Sequence, residues 1–151
     1  MSTSRHASRA QSRQAALQVL YSVDVGRRAA EPLSLETVDE ALAAVAAHFE
    51  LPEGARAYAR ELAIGVAKNR EAIDRMLAGH ATNWRIERMA AVDRNILRLA
   101  LYELLFDKET PPAVVIDEAV EIAKRFGSER SSQFVNGVLD GFLHRSEAPG
   151  G

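Results

Sequence analysis

Arg5, Arg9 and Arg13 stand four residues apart in the stretch SRHASRAQSRQAALQVLY, and no acidic residue precedes Asp24. On a helix that spacing places side chains on one slowly drifting face. Guanidinium groups bind phosphate oxygens through bidentate, charge-assisted hydrogen bonds, so a helical row of them can track successive phosphates of a nucleic acid. The row runs into Leu17, Leu20 and Tyr21, an apolar stripe that would dock the helix on a body and leave the arginines along the rim. Residues 1–28 hold five arginines against Asp24, a net charge of +4; the whole chain carries −2, which leaves −6 on residues 29–151. A basic start on an acidic body points to an anionic partner met at that end. The alternative is a solvated amino terminus whose arginines do nothing.

Single-stranded bases are read by stacking on a few aromatic rings, and Phe134 and Tyr21 are the candidates, although an aromatic at helical spacing also serves a core. The remaining chemistry is sparse. His6, His48, His80 and His144 form no His-x-x-x-His or Glu-x-x-His pair, so no metal site is expected. The nine glycines make no dinucleotide fingerprint or P-loop, so no nucleotide cofactor is expected either. Cysteine is absent, which removes thiol catalysis and disulfides and fits a reducing cytosol. Asp117, Glu118 and Glu121 crowd one helix, but Glu121 has Arg125 four residues on, and the group reads as a solvated face. The apolar run ILRLALYELLF at 96–106 is interrupted by Arg98 and Glu103 and falls short of the ~20 residues that span a bilayer. The amino terminus lacks the apolar core of a secretory signal, though its Arg-rich, Ser-rich composition is shared with transit peptides. A cytoplasmic protein without catalytic machinery is expected.

The elements that would position these residues are helical throughout. With 151 residues, 47% of them apolar, the chain suits one soluble domain with one core. Periodicity places a first helix from Arg9 to about Arg27, with Ser8 and Gln11 as a capping box and Arg5 in the tail ahead of it. A second follows Pro32 and Ser34, with Leu35, Val38, Leu42, Val45 and Phe49 as its row. A long third runs from about Ala55 to His80 with Leu62, Val66, Ile73 and Leu77 buried. The segment Ile96 to Phe106 is apolar nearly all round, the mark of a helix surrounded by others. Pro111 and Pro112 begin the next helix, with Val115, Ile116, Ala119, Val120, Ala123 and Phe126 inward and Gly127 as its cap. A last helix from Ser128 or Ser131 carries Phe134, Val135, Val138, Leu139 and Phe142. The expected organisation is a flexible basic tail over 1–8, a single helical domain over 9–145 and a loose tail over 146–151.

The stretches RMAAVDRNILRLALYELL and TPPAVVIDEAVEIAKRFGSERSSQFVNGVLD, with AALQVLYS in the first helix, resemble the NusB family of transcription antitermination factors over roughly residues 9–143. The resemblance implies an all-α bundle of about seven helices, arranged as two perpendicular three-helix sub-bundles, without catalysis. It implies binding to the boxA segment of nascent ribosomal RNA leaders together with NusE, the small-subunit ribosomal protein S-ten, and through them to other Nus factors and RNA polymerase. Arg9 and Arg13, with Arg5 ahead of them, match the family's arginine-rich helix, and Phe134 matches a phenylalanine near the RNA. Glu87 and Asp93 match acidic positions facing the partner protein. Arg130 stands where the family pattern has an acidic residue, in SERS rather than SEDS, and is assigned to the same partner surface. Two other functions fit the helical pattern: a protein-only adaptor, and a fragment of a ribosomal-RNA cytosine methyltransferase that carries a NusB-like domain. The chain has no glycine-rich loop to support the second.

Overall fold

The computed structural model describes residues 2–26, 34–48, 51–80, 85–107 and 109–147, with side chains over 9–26, 34–48, 51–79, 85–107 and 109–144. Among the described residues there are seven α-helices, one 3-10 turn and no strand, which is the expected class and helix number. The chain divides into two compact units, Met1–Asn69 and Arg70–Gly151.

The first unit holds α1 (Ser2–Gly26), α2 (Leu35–Ala47) and α3 (Glu53–Lys68), each packed on the other two. Helix α1 starts at Ser2 rather than near Arg9. Residues 2–7 contain neither glycine nor proline to break it, so the capping-box reading of Ser8 and Gln11 gives way. Arg5 therefore lies in helix, with its side chain outside the described residues. Ala15 and Ala16 on α1 and Ala55, Ala59 and Ala63 on α3 are almost fully buried. Such small side chains let two backbones approach, and Ser12 accordingly reaches main chain, its Oγ donating to the Ala55 carbonyl at 2.8 Å. Ser34 caps α2, its Oγ accepting the Thr37 N–H at 3.1 Å, a standard N-cap arrangement. Val38 and Leu42 are buried, whereas Leu35 at the first position is exposed and Phe49 falls outside the described residues.

The expected third helix is two. At Asn69 the backbone N–H bonds to the Gly65 and Val66 carbonyls, and Nδ2 donates to the Gly65 carbonyl at 2.8 Å. The backbone of Asn69 leaves the helical region at φ −110° and ψ 14°, and here the helix stops. Leu62 and Val66 remain in the first unit's core, and Ile73 and Leu77 in the second's.

The second unit holds α4 (Arg70–His80), a 3-10 turn (Ile86–Arg88), α5 (Ala91–Phe106), α6 (Pro112–Phe126) and α7 (Ser131–Glu147). Helix α5 packs against α4, α6 and α7 and is buried continuously from Asn95 to Leu101. That span includes Arg98, whose Nε and Nη2 donate to Asp74 Oδ1 and Oδ2 at 2.8 and 3.1 Å and whose Nη1 donates to Asn95 Oδ1 at 3.1 Å. A charge this deep is tolerated because carboxylate and amide satisfy it. Phe106 and Phe126, the last residues of their helices, are exposed, and on α6 Ile122 takes the buried place expected of Val120.

Removing the Asp74 carboxylate takes two charge-assisted hydrogen bonds from the buried Arg98 guanidinium. Asp74→Ala should lower unfolding stability by about 3 kcal/mol in a urea titration. The exposed Asp39–Arg60 pair, 2.7 Å apart, is the control. The Arg60 hydrogen bond holds the Asp39 carboxyl below its ordinary value of 3.8. The pair's contribution is thus complete above that value, lost only as acid titrates through the lowered one, and screened by salt.

Candidate nucleic-acid interface

The first unit carries the arginine row, and the structure treats its members differently. Arg9 is half-buried, its Cζ 4.7 Å from the centre of the Tyr58 ring on α3. Arg13 is only 4% exposed and engaged within the protein. The expectation of an open rim of three guanidiniums therefore does not hold at Arg13: the seam that receives Ser12, one residue before it, encloses that turn of α1. Tyr21, weighed as a core residue, is 40% exposed near the end of α1, and Val25 one turn on is also exposed. Tyr58 was not singled out by the sequence, where a tyrosine in GARAYAREL carries no spacing signal.

The second unit gathers three of the expected residues around one cavity of about 480 Å³: Asp93, Arg130 and Phe134. Glu87 is exposed on the neighbouring 3-10 turn and does not line it. The turn ends in an extended Met89 and Ala90, which caps α5 without a side-chain hydrogen bond. Arg94 reinforces the corner by donating from Nη1 to the Met89 carbonyl at 3.2 Å. Asp93 then falls in the first turn of α5, where the helix dipole favours a negative charge. Its Oδ1 is the one buried side-chain polar atom among the described residues without a hydrogen-bond partner. Native structures carry few such atoms, and an acceptor of this kind is satisfied when something with a donor arrives.

The opposite wall depends on Gly127. It caps α6 as expected, in an extended conformation whose φ of −95° is open to any residue, with its N–H bonded to the Ala123 carbonyl at 2.9 Å. What requires glycine is space. A Cβ would meet the Ser131 side chain and, at 2.8 Å, the Ala123 carbonyl. Ser131 Oγ in turn accepts the Ser128 N–H at 2.9 Å, closing the loop from which Arg130 and then Phe134 project. Arg88, Gln133 and Met89 complete the lining. Sequence reasoning did not select them, though Arg88 is legible as a basic residue one turn ahead of the central helix. The cavity thus offers a partly buried aromatic ring for stacking, two exposed guanidiniums suited to phosphate, and an unpaired carboxylate oxygen. Among the described residues no group of three or more His, Asp or Glu is placed to hold a metal ion, and no helix is long and apolar enough to cross a membrane.

An all-helical protein with a basic first helix and an aromatic, arginine-flanked cavity has the chemistry of a binding module for anionic polymers and their protein partners. The chain belongs to the NusB family, whose model matches residues 10–144. The transcription antitermination protein NusB of Sorangium cellulosum (strain So ce56) is 48% identical over 136 residues, covering 87% of this chain and 89% of the relative. The T. maritima NusB structure superimposes with a TM-score of 0.77 at 36% identity, over 90% of each chain. A crystal structure of the antitermination factors NusB and NusE in complex with dsRNA gives a TM-score of 0.78 at 29% identity, over 91% of this chain and 97% of that one. The family is one of transcription factors, not of enzymes.

Two substitutions separate structural from interface roles. Arg13→Ala should lower stability by about 1–3 kcal/mol, since it empties a buried, engaged position. Asp93→Asn should leave the melting temperature within a few degrees of the parent, because the atom it alters has no partner to lose.

Proposed function

We propose that the chain is an RNA-binding transcription antitermination factor that acts without catalysis in the cytoplasm. It binds the single-stranded boxA segment of nascent ribosomal RNA leaders together with NusE, and the pair helps assemble other Nus factors on RNA polymerase. The observation that carries this reading is the family match from residue 10 to 144, which spans both the arginine helix and the cavity. A relative of the same fold forming a complex with NusE and dsRNA supports it.

In this reading Arg9 contacts phosphate, with Arg5 ahead of it on the same helix and Arg13 supporting the helix from within. Phe134 offers its ring to a base. Asp93, with Glu87 on the adjacent turn, meets basic groups of the partner protein, and Arg130 at the cavity rim contacts a phosphate or the partner's acidic groups. The acidic body limits RNA affinity of the chain alone, and a basic partner offsets that repulsion. The enclosure of Arg13 favours the alternative of a protein-only adaptor, so direct RNA binding is the point to test.

Affinity for a boxA RNA, measured by filter binding with and without NusE against a scrambled control, should exceed that for the control and rise with NusE. It should fall with salt, and Arg9→Ala should flatten the slope of log K against log salt by about 0.7, the value of one phosphate contact on a single strand. Equal binding of boxA and scrambled RNA at every salt concentration would leave the adaptor reading in place.

A further inference from the structure

We propose that Arg88 and Arg130 form a two-sided phosphate clamp in the second unit, a second grip on RNA that rests on the RNA-binding reading above. Each comes from a short segment in which an acidic residue stands directly before a basic one: Glu87 and Arg88 in the 3-10 turn, Glu129 and Arg130 in the loop between α6 and α7. In both segments the arginine lines the cavity of about 480 Å³ and the glutamate does not. The two backbones are held. The Arg88 N–H donates to the Arg85 carbonyl at 2.9 Å, and the Arg130 carbonyl accepts the Phe134 N–H at 3.0 Å. The two side chains are exposed, and among the described residues neither guanidinium is engaged in an ion pair or a hydrogen bond. Asp93, the one carboxylate of the lining, reaches neither of them, and its Oδ1 is buried without a partner. Two guanidiniums against one carboxylate give the lining a net charge of +1.

Guanidiniums take carboxylates as readily as phosphates, and the surroundings decide between the two. Glu87 and Asp93 are read above as meeting a basic partner, and such a partner is repelled by two uncompensated arginines beside them. An RNA backbone brings its own negative charge to that place and neutralises both. The clamp therefore couples the two ligands: phosphate bound between the arginines removes the repulsion, and RNA and partner each raise the affinity for the other. This grip differs from the one on α1. There the basic helix offers its charge along a surface, whereas here two segments distant in sequence bring one arginine each to a single cavity.

The test reads the affinity of the full chain for a boxA RNA across a salt series with NusE present, and its affinity for NusE alone, with folding checked by thermal melting. Arg88→Gln and Arg130→Gln should each bind RNA about three- to fivefold more weakly, the loss of an exposed charge contact. Each should flatten the slope of log K against log salt by about 0.7, and the double variant by about 1.4. Arg130→Lys keeps the charge without the planar fork and should bind more weakly at the parental slope. Glu129→Gln, one residue off the cavity, should leave the slope unchanged. Without RNA, neither glutamine variant should bind NusE more weakly. A parental slope in either glutamine variant overturns the clamp. So does a slope change at Glu129 as large as that at Arg130, which makes net charge the cause, or a loss of NusE affinity without RNA, which gives the arginines to acidic groups of the partner. The slope reads backbone contact whatever the base sequence, so equal binding of boxA and scrambled RNA sinks the boxA reading while the slopes still decide the clamp. A chain that binds no RNA fails both.

Discussion

The close approach of α1 to α3 is the constraint on which the first unit depends. Alanines on both helices bring the two backbones near enough for a serine hydroxyl to bond a main-chain carbonyl in a dry seam. Larger side chains would hold the helices apart and cost Ser12 its bond to the Ala55 carbonyl, a loss that a buried hydroxyl does not recover from water. Once that contact is made, the fate of the neighbouring arginines follows from helical geometry. A residue next to Ser12 is carried inward, and a residue one turn earlier emerges at the rim. The same packing that stabilises the unit thus sorts Arg13 from Arg9, and charge that looks equivalent along the sequence is divided into a buried part and a half-buried one.

The second unit solves a related problem differently. Its central helix is enclosed on three sides by helices, yet it carries Arg98 in the middle of its buried span. Asp74 and Asn95 satisfy that guanidinium, so α4 is joined to α5 by a directional contact as well as by apolar packing. Toward the amino end of α5 the rule of satisfied polar groups is relaxed at Asp93. A protein that pairs so deep an arginine yet leaves a nearby carboxylate oxygen alone marks the place where its own packing stops. Native sequences depart from internal consistency at such places because a ligand completes them.

Much of this was legible in the sequence because it rests on local rules. Six of the seven helices, the proline start of α6 and the serine cap of α2 follow from periodicity and end signals, with α3 and α4 read as one, and the apolar run at 96–106 marks the central helix. The gathering of Asp93, Arg130 and Phe134 around one cavity was reached only through resemblance, since 41 residues separate the first from the last and nothing in their spacing brings them together. What was not legible depends on competition between elements. The break at Asn69 is hidden because asparagine is an ordinary, if weak, helix residue, and Asn95 makes the same side-chain bond to an i−4 carbonyl inside the unbroken α5. The burial of Arg13 is hidden because its heptad position alone does not say how close a neighbouring helix will come. Gly127 caps α6 as expected, and the need for glycine there is room beside Ser131.

The misses differ in range. Asn69 and Gly127 are decided by neighbours four residues away, whereas Arg13 has two physically acceptable settings, one exposed and one enclosed, and packing of α1 on a helix distant in sequence chooses between them. An arginine is the extreme case, because its stem packs as well as a leucine while its head seeks anions. A four-residue arginine repeat therefore says where positive charge can be offered, and the partner helix decides which members offer it. In this protein the burial of Arg13 depends as much on the alanines of α3 as on the arginine spacing of α1. A comparison of basic helices by arginine count alone would miss that difference.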